Sequence, residues 1–547
     1  MKTLLVGINL QHRAFNGSNQ ALPWLASALH NEGFNDVKQF DMENPHNTLE
    51  DLLWEGKNAD LIGFCGTFSI SLAQIDMYAL ALRNYLRDIG KSQTPIIVGG
   101  YGASGVGRYA KFAPSIDGFF YGPGIEGIVN IARATASGKF EEILRSGEIK
   151  GLSYFDKKRG LFVKSTKSPL PSREKLDGID QLFDRSYIPA IHDMDVFLDN
   201  EGIPLPTFQM VTELGCNWSC TFCSESGGNE DEMMFRGVRG VSLETIAKTF
   251  EKAKREGYKA VYFDIETAFS RWGRMKNILK MMNDYGFVGG LNTRVDTATE
   301  ERIKICSDLG VVYQFYGVEH LNPQVLFAVD KFIQADQRIR AELALGYKDK
   351  VEQTYRWMNA QGIQSSLFMI MGLPKISNKS WQELVYGDEK VTDLKYTFTS
   401  FEDDRNAIVE GFRRANPRHF NANILRFNPD TKMAYELRYA LVRPSGIQPI
   451  DAAWFVPRVA NLLGLKLQDY HPVYRFFEGV ETNQPFSSAM NPDRAYATMK
   501  VILDMANQTG TRVYFDPILE KAGIISKEKG NYVLKGSLNN FEQLGKR

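Results

Sequence analysis

The sequence has neither an excess of charge nor a long apolar run. Its 65 Lys and Arg residues balance 65 Asp and Glu residues over 547 positions, so no basic surplus argues for nucleic acid as a partner. No stretch of about 18 apolar residues could span a membrane, and Met1-Lys2 leads into a strand-like segment instead of a signal peptide. We therefore expect a cytoplasmic, globular protein of two or three domains.

Cysteine is scarce too, but it is concentrated in one place. Of five cysteines, three fall at C-x3-C-x2-C spacing, at Cys216, Cys220 and Cys223. Three cysteines cannot pair among themselves, and a chain without signs of secretion is not expected to carry disulfides. Thiolates hold iron–sulfur clusters, and a four-iron cluster needs one ligand per iron. Three cysteines would therefore leave one iron free to take a small molecule.

A structural zinc site is the weaker alternative for the same three cysteines. It needs a fourth Cys or His ligand, and the next ones downstream are Cys306 and His320. In that case the protein would be a metal-bound scaffold without enzymatic activity.

The three cysteines resemble the signature of the radical S-adenosylmethionine (radical SAM) superfamily. Phe222 stands just before the last cysteine, where the family commonly has an aromatic residue near the adenine. The resemblance implies a [4Fe-4S] cluster whose open iron chelates SAM and cleaves it to a 5′-deoxyadenosyl radical, with electrons from an external reductant of the flavodoxin or ferredoxin type. One departure is Leu214-Gly215-Cys216, where relatives with an N-terminal cobalamin domain often read Arg-Gly-Cys.

Residues 1–150 alternate short apolar runs with helical patterns, which predicts a doubly wound parallel sheet. The predicted strands are residues 3–8, 37–40, 61–65, 95–98 and 118–121, and the predicted helices are residues 22–32, 75–88 and 125–135. Ligands of such sheets bind beyond the carboxyl ends of the strands. The glycines found there either let the backbone approach a ligand or make a tight strand-to-helix turn.

This N-terminal region resembles the cobalamin-binding domain that precedes the cluster motif in one class of radical SAM enzymes. The resemblance rests on Gly63-Phe64-Cys65-Gly66-Thr67, Val98-Gly99-Gly100 and Tyr121-Gly122-Pro123-Gly124-Ile125-Glu126. It implies cobalamin as a cofactor, near Thr67, Gly99, Gly100, Gly122 and Glu126. The Asp-x-His-x-x-Gly motif that supplies a cobalt ligand elsewhere is absent, and His12 has the wrong spacing. Some relatives have lost the cofactor from this domain, so a scaffold role stays open.

Residues 151–205 contain two proline-rich stretches and predict an extended linker with little regular structure. From residue 206 to 430 the strand–helix rhythm returns, with strands predicted at residues 208–212, 260–264, 289–295, 311–318, 365–371 and 421–425. Six such strands suit the partial (β/α)6 barrel of radical SAM enzymes. For residues 431–547 we expect a mainly helical region that shapes the substrate pocket. No Cys follows Cys306, so auxiliary clusters have no ligands there.

The chemistry of such a barrel sits at the carboxyl ends of its strands. The resemblance implies that Asp264 and Glu266 receive the ammonium of SAM. It implies that Arg294 binds the SAM carboxylate through two parallel hydrogen bonds. Glu319 belongs to a segment similar to the family's Gly-Ile-Glu-Ser. Each of them is alternatively an ordinary surface residue of a loop.

Two cysteines lie outside the motif. Cys65 follows an apolar strand, and this position predicts that its side chain is buried as a small apolar group. Cys306 is placed on a helix beside a barrel strand, where it either packs in the core or donates a hydrogen atom to a substrate radical, as thiols do in radical epimerases.

Two enzymatic hypotheses follow from the resemblance. The first is cobalamin-dependent methylation of an unactivated carbon in a natural-product, peptide or lipid substrate. The second is a radical SAM epimerase, cyclase or rearrangement enzyme whose N-terminal domain does not use cobalamin. A small-molecule or peptide substrate fits both, and the sequence leaves its identity open.

Overall fold

The computed structural model describes nine stretches of the chain, with short gaps inside some of them. They are residues 1–8, 21–66, 71–100, 113–184, 196–223, 238–332, 336–424, 492–514 and 525–534, without positions 43, 45, 46, 167, 388–390, 392, 393, 529 and 530. His12, Thr67 and most of the predicted C-terminal region lie outside the described residues. Among the described helices, none is both long and apolar enough to cross a membrane.

The N-terminal sheet confirms the predicted doubly wound fold. Its strand order is β2-β1-β3-β4-β5-β6-β7, and β1 to β5 run parallel. The order reverses between β1 and β3, which places a ligand crevice at their carboxyl ends. The strands are β1 Thr3–Ile8, β2 Val37–Asp41, β3 Leu61–Gly66, β4 Ile96–Gly99, β5 Gly118–Phe120, β6 Leu152–Asp156 and β7 Leu161–Val163.

Helices cover both faces of this sheet because its strands are apolar on both sides. Leu5 and Ile97 pack on one face with residues of the helices Ala21–Asn31 and Gly124–Ala136. Leu4, Val6 and Ile62 pack on the other face, against the helices Leu49–Gly56 and Ser71–Asp88. A shorter helix, Phe140–Ser146, leads towards β6.

The first part of residues 151–205 differs from the extended linker that the sequence predicts. Strands β6 and β7 form an antiparallel hairpin that extends the N-terminal sheet beyond β5. Leu152 and Ser153 are buried there, which gives the hairpin its own share of the core. The short helix Arg173–Asp177 follows it. The domain boundaries themselves stay a prediction.

The second sheet contains the six predicted barrel strands, all parallel, and one more. Its order is β18-β17-β14-β13-β12-β11-β8, and β18 pairs parallel with β17. The strands are β8 Thr207–Met210, β11 Ala260–Phe263, β12 Val288–Arg294, β13 Val311–Glu319, β14 Gln364–Met371, β17 His419–Ile424 and β18 Arg512–Tyr514. The C-terminal region therefore contributes a strand to this sheet as well as helix Pro492–Thr509.

Helices connect these strands and bury one of the two faces of the sheet. They are Leu243–Arg255, Trp272–Asp284, Glu300–Asp308, Pro323–Ala328, Gln337–Ala360, Asn378–Tyr386 and Phe401–Ala415. Three two-residue to four-residue strand pairs lie outside the large sheets: β9 Glu213–Leu214 with β10 Arg239–Gly240, β15 Pro374–Ile376 with β16 Tyr396–Phe398, and β19 Ile525–Glu528 with β20 Asn531–Leu534.

Side chains alternate along the barrel strands between the helical layer and the barrel interior. Val261 and Phe263 pack towards the helices. Tyr262 lies between them and belongs to an interior cluster with Phe197 and Tyr313. The Gln364 side chain donates a hydrogen bond of 3.1 Å to the Val196 carbonyl. Residues 196 and 197 thus plug the barrel near the amino ends of its strands.

Candidate functional site

The loop after β8 carries the three motif cysteines. Cys220 is 8% exposed, while Cys216 and Cys223 are half-buried. The Cys223 amide donates to the Cys220 carbonyl at 3.1 Å, which closes a tight turn, and the Thr221 amide donates to the Val329 carbonyl at 3.0 Å. These bonds fix the loop at the carboxyl ends of the barrel strands.

The environment of Cys216 suits a thiolate ligand that forms only when metal binds. Burial, followed by the nearby Glu266 carboxylate, raises the pKa of Cys216 to about 12. Coordination supplies the free energy that removes such a proton. Within the described residues, no three His, Cys, Asp or Glu side chains are gathered closely enough to hold a single metal ion. A four-iron cluster makes a different demand, since each thiolate binds its own iron, and three thiols on one anchored loop fit it.

Glu213 braces the start of this loop, although no sequence motif marks it. Its carboxylate lies 3.3 Å from an Arg271 nitrogen and 3.7 Å from the Arg274 Nε. Burial raises its pKa despite both guanidinium groups. Arg274 also donates to the Thr212 carbonyl at 3.1 Å. This ion pair holds the cluster loop against the helix Trp272–Asp284.

Arg294, at the end of β12, contacts the cluster loop directly. Its Nη1 donates to the Cys220 sulfur at 3.3 Å. Its Nε and Nη2 donate to the two carboxylate oxygens of Asp296 at 2.9 and 2.8 Å, and Nη2 also donates to the Lys331 carbonyl. Burial opposes its charge, but Cys220 and Asp296 outweigh burial and raise its pKa. The two parallel hydrogen bonds that the resemblance implies for a SAM carboxylate are made here to Asp296.

A buried ion pair lies next to Arg294. The Lys331 ammonium donates to Glu319 at 3.1 Å and to the Gly317 carbonyl at 2.8 Å. Glu319 has a left-handed backbone conformation with φ of 66°, which costs a non-glycine residue free energy. In the part of the chain that the structure describes, its Oε2 is buried without a hydrogen-bond partner. Glu319 therefore keeps one acceptor free, and Lys331 is a site residue that sequence reasoning missed.

Asp264 and Glu266 follow β11 and are both exposed at the mouth of the barrel. The carboxyl group of Asp264 nevertheless has protein on most sides, and this desolvation raises its pKa. Glu266 is close enough to Cys216 to raise the pKa of that thiol. The structure thus brings both acids to the end of the barrel that carries the cluster loop.

Phe222 belongs to an apolar wall beside the same loop. It packs against a small cluster that includes Val325, Ile370 and Leu373. An aromatic ring held in this way offers a flat apolar surface next to the last cysteine.

His320 and Asp404 fix the segment that follows β13. The Asn322 amide donates to His320 Nδ1 at 3.0 Å, so the proton of the neutral ring lies on Nε2, which faces Asp404 at 3.4 Å. Asp404 also accepts from the Gly372 amide at 3.1 Å. Both side chains are fully buried. They tie the ends of β13 and β14 to the helix Phe401–Ala415.

Cys306 lies away from the barrel interior. It is fully buried on the helix Glu300–Asp308, in the core cluster that also contains Tyr316. Tyr313 lies on the opposite face of β13, in the interior cluster. This position favours core packing over a role as hydrogen-atom donor. Cys65 is also buried, at 7% exposure.

Two of the glycines that are predicted to lie near cobalamin are explained by contacts within the protein itself. Gly100 has φ of +94°, and a Cβ there would lie 2.2 Å from the Gly66 carbonyl oxygen. Gly122 has φ of +106°, and its Cβ would lie 3.0 Å from Ser168. Gly99 has more room and ends β4 at the crevice edge. Glu126 is exposed in the first turn of its helix.

Comparisons with known proteins agree with this geometry. The family model described as "Radical SAM superfamily" matches residues 210–385, from the end of β8 to the helix Asn378–Tyr386. The uncharacterized methyltransferase PH0819 of Pyrococcus horikoshii is 24% identical over 331 residues. This match spans 59% of the chain and 66% of the length of that relative.

Solved structures share the fold over much of the chain. The radical SAM methyltransferase TsrM from Kitasatospora setae, with tryptophan and a SAM analogue bound, has a TM-score of 0.55 at 16% identity, over 78% of this chain and 75% of its own. The cobalamin-dependent radical enzyme OxsB, with aqua-cobalamin and SAM bound, has a TM-score of 0.50 at 17% identity, over 68% and 49%. Residues 210–385, which include the three-cysteine loop, therefore match the radical SAM superfamily, and the chain shares its fold with the cobalamin-dependent radical SAM enzymes TsrM and OxsB.

Proposed function

We propose that the protein is a cobalamin-dependent radical SAM methyltransferase that acts on an unactivated carbon. The observation that carries the proposal is the presence, in one chain, of the three-cysteine loop at the mouth of a parallel barrel and of a β2-β1-β3-β4-β5 sheet ahead of it. TsrM, which has this fold, has been solved with cobalamin and a [4Fe-4S] cluster bound, at a TM-score of 0.54 and 17% identity, over 79% of this chain and 74% of its own.

Each residue of the site has a role in this proposal. Cys216, Cys220 and Cys223 would hold three irons and leave the fourth open to SAM. Asp264 and Glu266 would accept hydrogen bonds from the SAM ammonium, and Glu319, held by Lys331, would border the same site. The cluster, SAM and cobalamin supply the radical and the methyl group, whereas the protein supplies orientation and a closed site.

The barrel interior supports exclusion of water from the reaction. Phe197, Tyr262 and Tyr313 fill the end of the barrel opposite the cluster loop, and Phe222 adds an apolar wall beside the cysteines. Among the described residues, this packing closes the end of the barrel opposite the mouth, where cofactors and substrate would bind. A closed site of this kind protects a reactive intermediate from side reactions. The electron would come from an external flavodoxin-type or ferredoxin-type reductant.

The cobalamin part of the proposal has a direct test. The cluster is reconstituted without oxygen, hydroxocobalamin is added, and free corrin is removed by gel filtration. We expect a corrin spectrum to remain with the protein. A protein that carries the cluster but no corrin would contradict this part of the proposal.

One observation favours a second candidate function, a radical SAM epimerase, cyclase or rearrangement enzyme without cobalamin. Gly100 and Gly122 are required by backbone contacts inside the N-terminal domain, so a ligand is not needed to explain them. The mass of the product separates the two functions, because methylation adds about 14 Da and the alternatives do not transfer a methyl group.

A further inference from the structure

The side chain of Arg294 is placed to act on the cluster itself. Four of the five N–H groups of a guanidinium are occupied: two by Asp296, one by the Lys331 carbonyl and one by the Cys220 sulfur. Its guanidinium carbon also lies 3.8 Å from the centre of the Trp218 ring. One N–H remains, which is too few for the bidentate bond to a SAM carboxylate that the resemblance predicts.

We propose that Arg294 is a positioning residue that donates an N–H···S hydrogen bond to the cluster ligand Cys220 and thereby sets the reduction potential of the cluster. The inference rests on the proposed function, because it requires a [4Fe-4S] cluster on the three cysteines. Hydrogen bonding to Cys220 thus replaces contact with SAM as the main role of Arg294.

The sign of the effect follows from the charges. The reduced cluster has one more negative charge than the oxidised cluster, so a donor or a positive charge at a ligand sulfur stabilises the reduced form. Arg294 is only 6% exposed, so water screens its charge poorly. Asp296 offsets part of that charge while it aims the guanidinium at Cys220. Loss of Arg294 removes the hydrogen bond and also leaves Asp296 uncompensated, and both changes make reduction harder.

The geometry around Arg294 explains why another cation would not replace it. The planar guanidinium bonds Asp296 with two nitrogens and still reaches the sulfur with the third, whereas a lysine ammonium is a point charge without that fork. Trp218 covers one face of the guanidinium. Arg294→Lys should therefore keep the charge but weaken the aimed hydrogen bond.

The experiment measures the midpoint potential of the reconstituted cluster by EPR-monitored titration with dithionite, in the absence of SAM. For Arg294→Gln we expect the equilibrium constant for reduction to fall at least tenfold, which is about 59 mV for a one-electron couple. For Arg294→Lys we expect a smaller fall in this equilibrium constant. Asp296→Asn should shift the potential in the opposite direction, because it removes a negative charge and leaves the arginine in place. SAM affinity, measured separately, should change little in Arg294→Lys.

The matched control is Arg83→Gln, which removes another partly buried arginine paired with an aspartate, Asp117, at 2.5 Å in the N-terminal domain. Its potential should equal that of the wild type. If Arg294→Gln fails to hold the cluster, Arg294→Lys and Asp296→Asn decide the question through the opposite signs of their shifts. Unchanged potentials in these variants, or a loss of SAM affinity alone, would overturn the inference. A wild-type protein that takes up no cluster would instead refute the proposed function.

Discussion

Replacement of Lys331 by Met tests how strongly the buried pair Lys331–Glu319 holds the site together. The Lys331 side chain is 1% exposed and that of Glu319 is 9% exposed. The substitution would leave the Glu319 carboxylate buried with neither of its oxygens paired to the ammonium. Removal of one partner of a buried pair costs about 3–5 kcal/mol, since the other charge stays desolvated.

The expected result is a loss of that size in the free energy of unfolding of the barrel, measured by urea denaturation at neutral pH. The double variant Glu319→Gln/Lys331→Met should recover a good part of the loss, because a neutral amide costs less to bury than a carboxylate. The control is Lys375→Met, whose partner Asp403 lies 2.7 Å away in a pair whose side chains are each 17% exposed. Water screens that pair better, so its loss should be clearly smaller. Equal losses for Lys331→Met and Lys375→Met would refute the argument from burial.

Two other predictions concern groups outside the cluster loop. Burial raises the pKa of Asp76 to about 8, and among the described residues its Oδ1 has no hydrogen-bond partner. Because the native state holds this proton more tightly than the unfolded chain does, stability should fall as pH rises from about 4 to about 8. Asp76→Asn should flatten that slope in denaturation curves measured across this range, and an unchanged slope would contradict the assignment. Cys306→Ala should cost about 1 kcal/mol of stability and leave the yield of 5′-deoxyadenosine unchanged, whereas a loss of product turnover with intact SAM cleavage would restore the hydrogen-atom donor.

The strands and the cysteine loop were predictable because their signals are local. Apolar runs fixed the barrel strands to within one or two residues, as in residues 260–264 against Ala260–Phe263. The helix Leu49–Gly56 was missed, although Thr48 and Asp51 form a capping box that marks its start. The hairpin of β6 and β7 was missed because the proline-rich stretches around it suggested a linker. The turn at Gly160, whose φ is +65°, between two short runs that contain aromatic residues is a local signal of a hairpin.

The partners of the site residues could not be predicted, since they depend on contacts between distant parts of the chain. Arg294 and Cys220 are 74 positions apart, and only the fold brings them together. Lys331 follows a helix and not a strand, so no strand-end pattern marks it, yet the short helix Pro323–Ala328 turns it back under Glu319. Sequence spacing identified which residues reach the barrel mouth. It gave no information about which of them pair with one another.

The most direct test of the central claim is the amount of 5′-deoxyadenosine formed from SAM under dithionite by Cys220→Ala after anaerobic loading with iron and sulfide. Only three protein ligands hold the proposed cluster, so the loss of one should abolish SAM cleavage. Cys65→Ala, with a buried cysteine outside the motif, is the control and should produce as much as the wild type. Full 5′-deoxyadenosine production by Cys220→Ala would contradict the assignment of the cluster to Cys216, Cys220 and Cys223.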